Sequence, residues 1–195
     1  MKDTREYIID EAYKLFLTQS YEAVSISDIS KAIGFTKGAL YHHFKNKEEL
    51  FRIVIDKHFP LTSMSLDDEN ISLKEYTEAC IDHIHKLLKE TITNNEAFTP
   101  VNFLALIADS FRHYEGFAEK KSTIIDNDVE KAKVIIGNAI KRGEIRDDID
   151  ISVVAMQYLS LSIGLAGDFM RNNSVESAIK SLKDQLTQLY YLLKK

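Results

Sequence analysis

Apolar residues recur along most of the chain at intervals of three and four positions, which places them on one face of an α-helix. Residues 4–18 show the pattern clearly, because Ile8, Ala12, Leu15 and Phe16 fall on one side. Strand and hairpin signals are largely missing, and the 195 residues include only seven Gly and two Pro. The sequence therefore predicts an all-α fold.

Two short helices joined by a tight turn are predicted after the first helix. Ser25 begins an acidic capping box before a helix at 26–33, and Gly34 follows where a left-handed residue is favoured. Thr36 can cap the next helix, at 37–44. This outline is that of a DNA-reading helix-turn-helix, although unrelated helical hairpins share it.

Longer helices are predicted in the remainder of the chain. A fourth helix, capped by Asn46 with Glu49, is predicted to reach about His58, and residues 61–70 have the composition of a linker. Five further helices are predicted at about 73–93, 100–114, 117–142, 151–171 and 175–193.

Composition limits the class of protein. The chain is 45% hydrophobic and 28% charged, a balance typical of a soluble globular protein. Cys80 is the only cysteine, which excludes an internal disulfide and a cysteine-based zinc cluster. The N-terminal residues carry acids among their apolar positions and lack the core of a signal peptide, so a cytoplasmic location is expected.

Residues 151–167 carry no formal charge and approach the length of a short membrane span. They also include Gln157 and three serines, and Asp150 and Asp168 lie at their edges. We therefore favour a buried protein helix over a membrane helix, and we expect no membrane partner.

The net charge of −5 conceals a basic segment. The charged residues from Lys31 to Lys47 are four lysines, with no Asp or Glu between them. At 100° per residue, the third helix turns Lys37, Tyr41 and His42 away from its apolar side, and Gly38 falls with them. Such a face suits an approaching nucleic acid, because glycine admits the backbone and the polar groups can donate to phosphates or base edges. A solvated helix face is the alternative.

In these residues the sequence resembles the tetracycline-repressor (TetR/AcrR) family of bacterial transcription regulators. The similarity covers about the first quarter of the chain, through TREYIIDEAYKLF and SYEAVSISDISKAIGFTKGALYHHFKNKEELF. Ala39 departs from the family's frequent threonine, which leaves one DNA contact apolar. The resemblance implies that the second helix braces the DNA backbone and the third enters the major groove. It implies phosphate contacts from Ser25, Ser27, Tyr41 and Lys47, base-edge contacts from Thr36, Lys37, Ala39 and His42, and close backbone approach at Gly38.

The resemblance also implies how the chain is divided. We expect a helix-turn-helix DNA-binding domain at residues 1–46, a connecting helix at 47–60, and an effector-binding and dimerisation domain at 61–195. Two DNA-binding domains of a homodimer would read a pseudo-palindromic operator with half-sites ~34–36 Å apart. A small-molecule effector that favours another separation would release the DNA.

Two sets of residues are candidates for these roles in the C-terminal part. The uncharged eighth helix and the ninth helix are expected to form the dimer surface, with burial inside one protomer as the alternative. The dimer candidates are Leu159, Ile163, Gly164, Gly167, Leu182, Leu186 and Leu189. The effector candidates are Tyr76, Cys80, His83, Phe103, Ile107, Phe111, Tyr114, Met156 and Tyr158, although aromatic residues at helical spacing are more often simply core.

No motif for a metal, a cofactor or catalysis is recognised. Cys80 and His83 lack the partners of a known metal cluster, and the sequence has no phosphate-binding glycine loop, zinc-protease motif or nucleophile elbow. We expect a regulator with no enzyme activity, no cofactor and no metal. A helical adaptor that binds protein, or a helical enzyme without a recognised motif, is the alternative.

Overall fold

The computed structural model describes residues 4–59, 63–64, 66, 70–92 and 98–195, with no side chains described for 90–92. These ranges contain nine helices, so the predicted all-α fold is confirmed. The helices are α1 (Thr4–Thr18), α2 (Ile26–Ile33), α3 (Lys37–His43), α4 (Lys47–His58), α5 (Leu73–Ile92), α6 (Pro100–His113), α7 (Phe117–Lys141), α8 (Ile151–Asn172) and α9 (Val175–Leu193). Most of the predicted linker, and Thr93, lie outside the described residues.

Helix ends follow local capping chemistry. Asn46 begins α4 by accepting the Glu49 N–H through its side chain, at 2.8 Å. Thr99 caps α6, in which Pro100 occupies the first turn. Asp150 caps α8 by accepting two backbone N–H groups. These groups would otherwise lack partners, because the first four N–H groups of a helix have no intrahelical acceptor.

The chain divides into two compact units. One contains residues 1–61 and 91–120, and the other contains 62–90 and 121–195. By packing, α6 groups with the N-terminal helices. The functional division proposed from sequence stays a prediction.

The core of the N-terminal unit is built where α1 packs against α2, α4 and α6. Phe16 and Phe51 meet edge to face with ring centroids 5.0 Å apart, and both are fully buried. Leu106 from α6 and Phe117, at the start of α7, complete the same cluster. This core fixes the positions of α1 and α4. Because α2 packs against α1 and α3 packs against α2, the same core also sets the positions of α2 and α3.

The second unit has its own core, in which α8 packs along α9. Tyr158 of α8 shares a 2.8 Å hydrogen bond between its hydroxyl and that of Thr77, which ties α8 to α5. Glu144, just after α7, accepts the backbone N–H groups of Leu73 and Lys74 and so caps α5. An isolated antiparallel bridge joins Ile145 to Lys194.

Among the described residues, α8 alone has the length and composition of a possible membrane span, with a mean hydropathy of 1.3 over its most apolar 18-residue window. This is weak evidence for a membrane, because core helices of soluble proteins meet the same criterion. Only 28% of that window is buried within the protomer. Much of this uncharged surface is therefore left uncovered by the residues that the structure describes.

Candidate functional site

The turn between α2 and α3 is fixed by short-range contacts. Ser25 and Asp28 form the reciprocal capping box that the sequence predicts, and Gly34 has a left-handed φ of 72°. Ser30 is buried and donates its hydroxyl hydrogen bond to the Phe35 carbonyl oxygen, which ties the end of α2 to the segment before α3. The orientation of α3 is thus set by α2.

One side of α3 is buried and the other is exposed, as predicted. Leu40 packs in the core, whereas Lys37, Gly38, Tyr41 and His42 are exposed. We call these four exposed residues the α3 flank. The Tyr41 side chain has 54% of its surface accessible. A phenol this exposed gains little from packing in the protomer, so its hydroxyl is available to an external acceptor.

The other predicted DNA contacts surround the α3 flank. Thr36 caps α3 by accepting the Ala39 N–H at 3.2 Å. Ala39 is half-buried, Ser27 is half-buried, and Ser25 is exposed at the start of α2. The structure brings all of these residues to neighbouring positions on α2 and α3, and their contacts with DNA stay predictions.

Lys47 has a different environment from the one expected. Its Nζ donates to the carbonyl oxygens of Tyr21 and Val24, at 3.0 and 3.1 Å, and lies 3.9 Å from the centre of the Tyr21 ring. At the first position of a helix the charge of a lysine opposes the helix dipole, so it is favourable only where negative groups lie nearby. Two carbonyl dipoles supply that compensation within the protein, so the structure does not present Lys47 as a phosphate donor.

Two residues of α6 support the site and were not identified from sequence. Asp109 is buried, and its Oδ2 accepts the backbone N–H of Tyr21 at 2.7 Å. The ring of His113 stacks on that of Tyr21 at 4.2 Å, and its Nε2 lies 3.3 Å from Glu22 Oε1. The sequence offered one signal for this role: Asp109 lies on the apolar side of the predicted helix, and a buried carboxylate needs hydrogen-bond partners.

The effector candidates do not form one cluster within either unit. Those on α6 and at its end belong to the N-terminal unit, where Tyr114 is buried and Phe111 is 51% exposed. The Tyr114 hydroxyl donates to Asp56 Oδ1 at 2.8 Å, and Phe103 stacks on Phe59 at 4.7 Å. Ile107 is half-buried. These contacts give Tyr114 and Phe103 structural roles in that unit.

The remaining effector candidates lie in the second unit. The rings of Tyr76 and Tyr158 are both buried, with centroids 5.4 Å apart. Cys80 and His83 are half-buried on α5, and burial raises the pKa of the Cys80 thiol to about 12 and lowers that of the His83 imidazole. Met156 differs from these residues, because it is 49% exposed on the outer side of α8.

The dimer candidates divide by exposure. On α8, Ile163 is 56% exposed, Gly164 and Gly167 are exposed, and Leu159 is half-buried. On α9, Leu189 is half-buried. Leu182 and Leu186 are buried in the core of the protomer, which corrects the prediction that they form a surface for a second copy. Their side of α9 is covered by the protomer itself, since α9 packs along α8.

The exposed apolar residues of α8 follow one face. Val153, Met156, Ile163 and Met170 are each about half exposed or more, and their spacing of three, seven and seven keeps them within about 100° around the helix. Gly164 and Gly167 lie beside them. We call this set the α8 face.

Comparisons with known proteins agree with the geometry of the N-terminal unit. Residues 8–54 match the model of the family described as bacterial regulatory proteins, tetR family. The HTH-type transcriptional regulator AcrR of Shigella flexneri is 46% identical over 50 residues, which cover 26% of this chain and 23% of AcrR. The probable HTH-type transcriptional regulator ArpR of Pseudomonas putida is 23% identical over 182 residues, or 87% of this chain and 81% of ArpR.

The fold of the whole chain also has solved counterparts. NalD of Pseudomonas aeruginosa, the secondary repressor of the MexAB-OprM multidrug efflux pump, aligns with 98% of this chain and 96% of its own length. The TM-score is 0.66 at 19% identity, which shows a common fold. Taken together, these findings show that residues 8–54, from α1 to α4, match the tetR family of bacterial regulatory proteins and that the whole chain shares the fold of NalD.

Proposed function

We propose that the protein is a cytoplasmic transcriptional regulator that binds a pseudo-palindromic DNA operator as a homodimer and is released by a small-molecule effector. Repression is the proposed direction of control, and no catalytic reaction is proposed. The α3 flank carries this proposal, because it exposes a lysine, a tyrosine, a histidine and a glycine on a short helix fixed by its neighbours.

The chemistry of the flank suits the major groove of DNA. Lys37 and His42 can donate to purine acceptors or phosphates, and the Tyr41 hydroxyl can donate to a phosphate. Gly38 supports close approach, since a Cβ there would meet nothing nearer than Thr36 Oγ1 at 3.8 Å. Glycine is thus not required by packing inside the protomer.

Dimer formation is supported by the α8 face. An exposed helix that is uncharged over several turns is costly to hydrate, and a second copy of the same face would cover it symmetrically. Gly164 and Gly167 would let two such helices approach closely. Apart from the neighbouring residues and backbone of the helix itself, no atom of the described residues lies within 4 Å of a Cβ at either position.

Release by an effector would follow from linkage. A ligand that binds more tightly to one separation of the two DNA-binding regions shifts the population toward that separation by its differential affinity. Tyr76 of α5 and Tyr158 of α8 form a buried pair, and Cys80 and His83 lie on α5 with Tyr76. Together they place polar groups within the apolar core of the second unit. We propose this group as the part of the effector site within that unit.

The decisive experiment is selection of bound fragments from genomic DNA, followed by titration of the recovered duplex at several salt concentrations. We expect a pseudo-palindromic site whose affinity falls steeply with salt, because neutralised phosphates release counterions. A helical adaptor or an enzyme would select no common sequence and would show little salt-dependent duplex binding. Either result would refute the proposed function.

A further inference from the structure

The turn between α1 and α2 is held by a lysine from another helix. Lys47, the first residue of α4, donates to the carbonyl oxygens of Tyr21 and Val24. These acceptors lie 26 and 23 positions earlier in the chain. A single ammonium group therefore joins the beginning of α4 to both ends of the segment 21–24.

The same segment is held from its other side. The Tyr21 N–H donates to the buried carboxylate of Asp109. The centroid of the Tyr21 ring lies 4.8 Å from that of Phe51 and 4.2 Å from that of the His113 ring. Burial and the nearby Glu48 carboxylate raise the pKa of the Tyr21 phenol. Tyr21 is thus surrounded by groups from α4 and α6, and its backbone has little freedom to move.

The segment 21–24 sets the position of the start of α2. Val24 is fully buried, and the next residue is Ser25, the N-cap of α2. The family resemblance implies that Ser25 and Ser27 contact DNA phosphates. A shift in the 21–24 segment would therefore move these hydroxyls and, through α2, the short helix α3.

The charges around Lys47 do not favour a DNA phosphate. The open groove beside it has a volume of about 690 Å³ and is lined by Glu22, Glu48, Glu115 and Glu119 as well as by Lys47. These carboxylates would repel an approaching phosphate. Two of the three ammonium donors are already used by carbonyl oxygens, and Lys47 is only half exposed.

We propose that Lys47 is a positioning residue for DNA binding, which fixes the start of α2 through the Tyr21 and Val24 carbonyls and does not itself neutralise a phosphate. This inference rests on the proposed function for its consequence in DNA binding. Its structural part concerns the protein without DNA and can be tested separately.

The first test is amide hydrogen exchange in the DNA-free protein. Replacing Lys47 by Met keeps the length of the side chain and removes the donor, so exchange at the amides of Tyr21, Ala23 and Ser25 should rise by at least about tenfold. Lys45→Met is the matched control, because Lys45 lies two positions away and is exposed. Exchange at these amides in the control, and at α8 amides in both variants, should match the wild type.

The second test is the salt dependence of binding to the selected duplex. For Lys47→Met we expect an affinity about tenfold lower at every salt concentration, with an unchanged slope of log affinity against log salt. If each Lys47 of the homodimer neutralised a phosphate, the variant would instead lower the magnitude of that slope by about 1.8, because two contacts are lost per duplex. If Lys47→Met does not fold, Lys47→Gln, whose polar end is one atom shorter, replaces it in both tests.

The outcomes separate the two proposals. Unchanged exchange at residues 21–25, or a slope reduced by about 1.8, overturns the positioning role. Failure of the wild-type protein to bind any duplex refutes the proposed function and leaves the exchange test to decide the structural role of Lys47.

Discussion

Two exposed surfaces of this protein differ in chemistry rather than in exposure. Tyr41 on the α3 flank and Ile163 on the α8 face have almost equal accessible fractions, 54% and 56%. The α3 flank combines a lysine, a histidine and a phenol, whereas the α8 face has no charge before Asp168 and Arg171. Exposure alone therefore does not show what approaches a surface. The chemistry distinguishes a polar, anionic partner at one from an apolar partner at the other.

The largest effect is expected from a charge on the α8 face. Ile163→Arg would bury a guanidinium against its own copy in a symmetric pair, so we expect the dimer dissociation constant to rise by about 100-fold or more. Analytical ultracentrifugation measures this constant. Val101→Arg is the matched control, because Val101 is 53% exposed but lies on α6, outside the α8 face. Equal effects of the two changes would show that the α8 face is not the dimer surface.

A smaller effect is expected from loss of the Tyr41 ring. Tyr41→Ala should weaken binding to all duplexes by about tenfold, since a phosphate contact carries no sequence information. His42→Ala should change the order of preference among duplexes instead. Fluorescence anisotropy with a set of single-base operator variants distinguishes these results. A change of preference with Tyr41→Ala would move Tyr41 from backbone contact to base readout.

The glycines of the two surfaces give a third test. Gly38→Ala and Gly164→Ala should each raise the free energy of unfolding of the protomer by up to about 0.5–1 kcal/mol, because alanine restricts the unfolded chain and neither Cβ would clash. We expect Gly38→Ala to weaken only DNA binding and Gly164→Ala to weaken only dimer formation.

Gly34→Ala supplies the contrast for this test. With φ at 72°, Gly34 is in a left-handed conformation, so its replacement should lower the free energy of unfolding by about 1 kcal/mol. Chemical denaturation measures all three variants. Stabilisation with no loss of binding at Gly38 or Gly164 would show that no partner comes close to that glycine.

The smallest expected effect concerns the half-buried His58, in contrast with the exposed His42. His58 stacks on Tyr13 at 3.9 Å, and burial lowers its pKa despite Asp10 Oδ1 at 3.3 Å from its Nε2. Lys57 also lowers that pKa. The unfolded chain therefore gains the His58 proton first as the pH falls below about 6.5, so the free energy of unfolding should decrease over that range.

Replacement of His58 by Phe should reduce this pH dependence, because Phe can stack on Tyr13 but cannot be protonated. Urea denaturation at pH 7.5 and at pH 5.5 measures the difference. The same decrease in the variant as in the wild type would assign the pH dependence to other groups.

Sequence reasoning succeeded where the physics is local. The capping box of Ser25, the left-handed Gly34 and the Thr36 cap depend on residues within a few positions of each other. The exposed side of α3 followed from helix periodicity, because its two sides differ sharply in polarity. These features account for the α3 flank and for most helix boundaries.

Contacts distant in sequence were not predictable in this way. The acceptors of Lys47 and the Tyr21 N–H bound by Asp109 depend on how α1, α4 and α6 pack. Leu182 and Leu186 show a related limit of sequence reasoning. An apolar stripe on a helix indicates that the stripe is covered, but it does not show whether the covering helix belongs to the same protomer or to a second copy. In α9 the neighbour is within the protomer.

The grouping of α6 with the N-terminal helices has a consequence for engineering chimeric regulators. A fragment ending at residue 61 would lack Asp109, and the Tyr21 N–H would lose its acceptor. It would also lack Leu106 and Phe117, which belong to the same buried cluster as Phe16 and Phe51. A donor segment that ends after α4 therefore needs a compatible α6 in the recipient. Without one, the core that supports α2 and α3 would be incomplete.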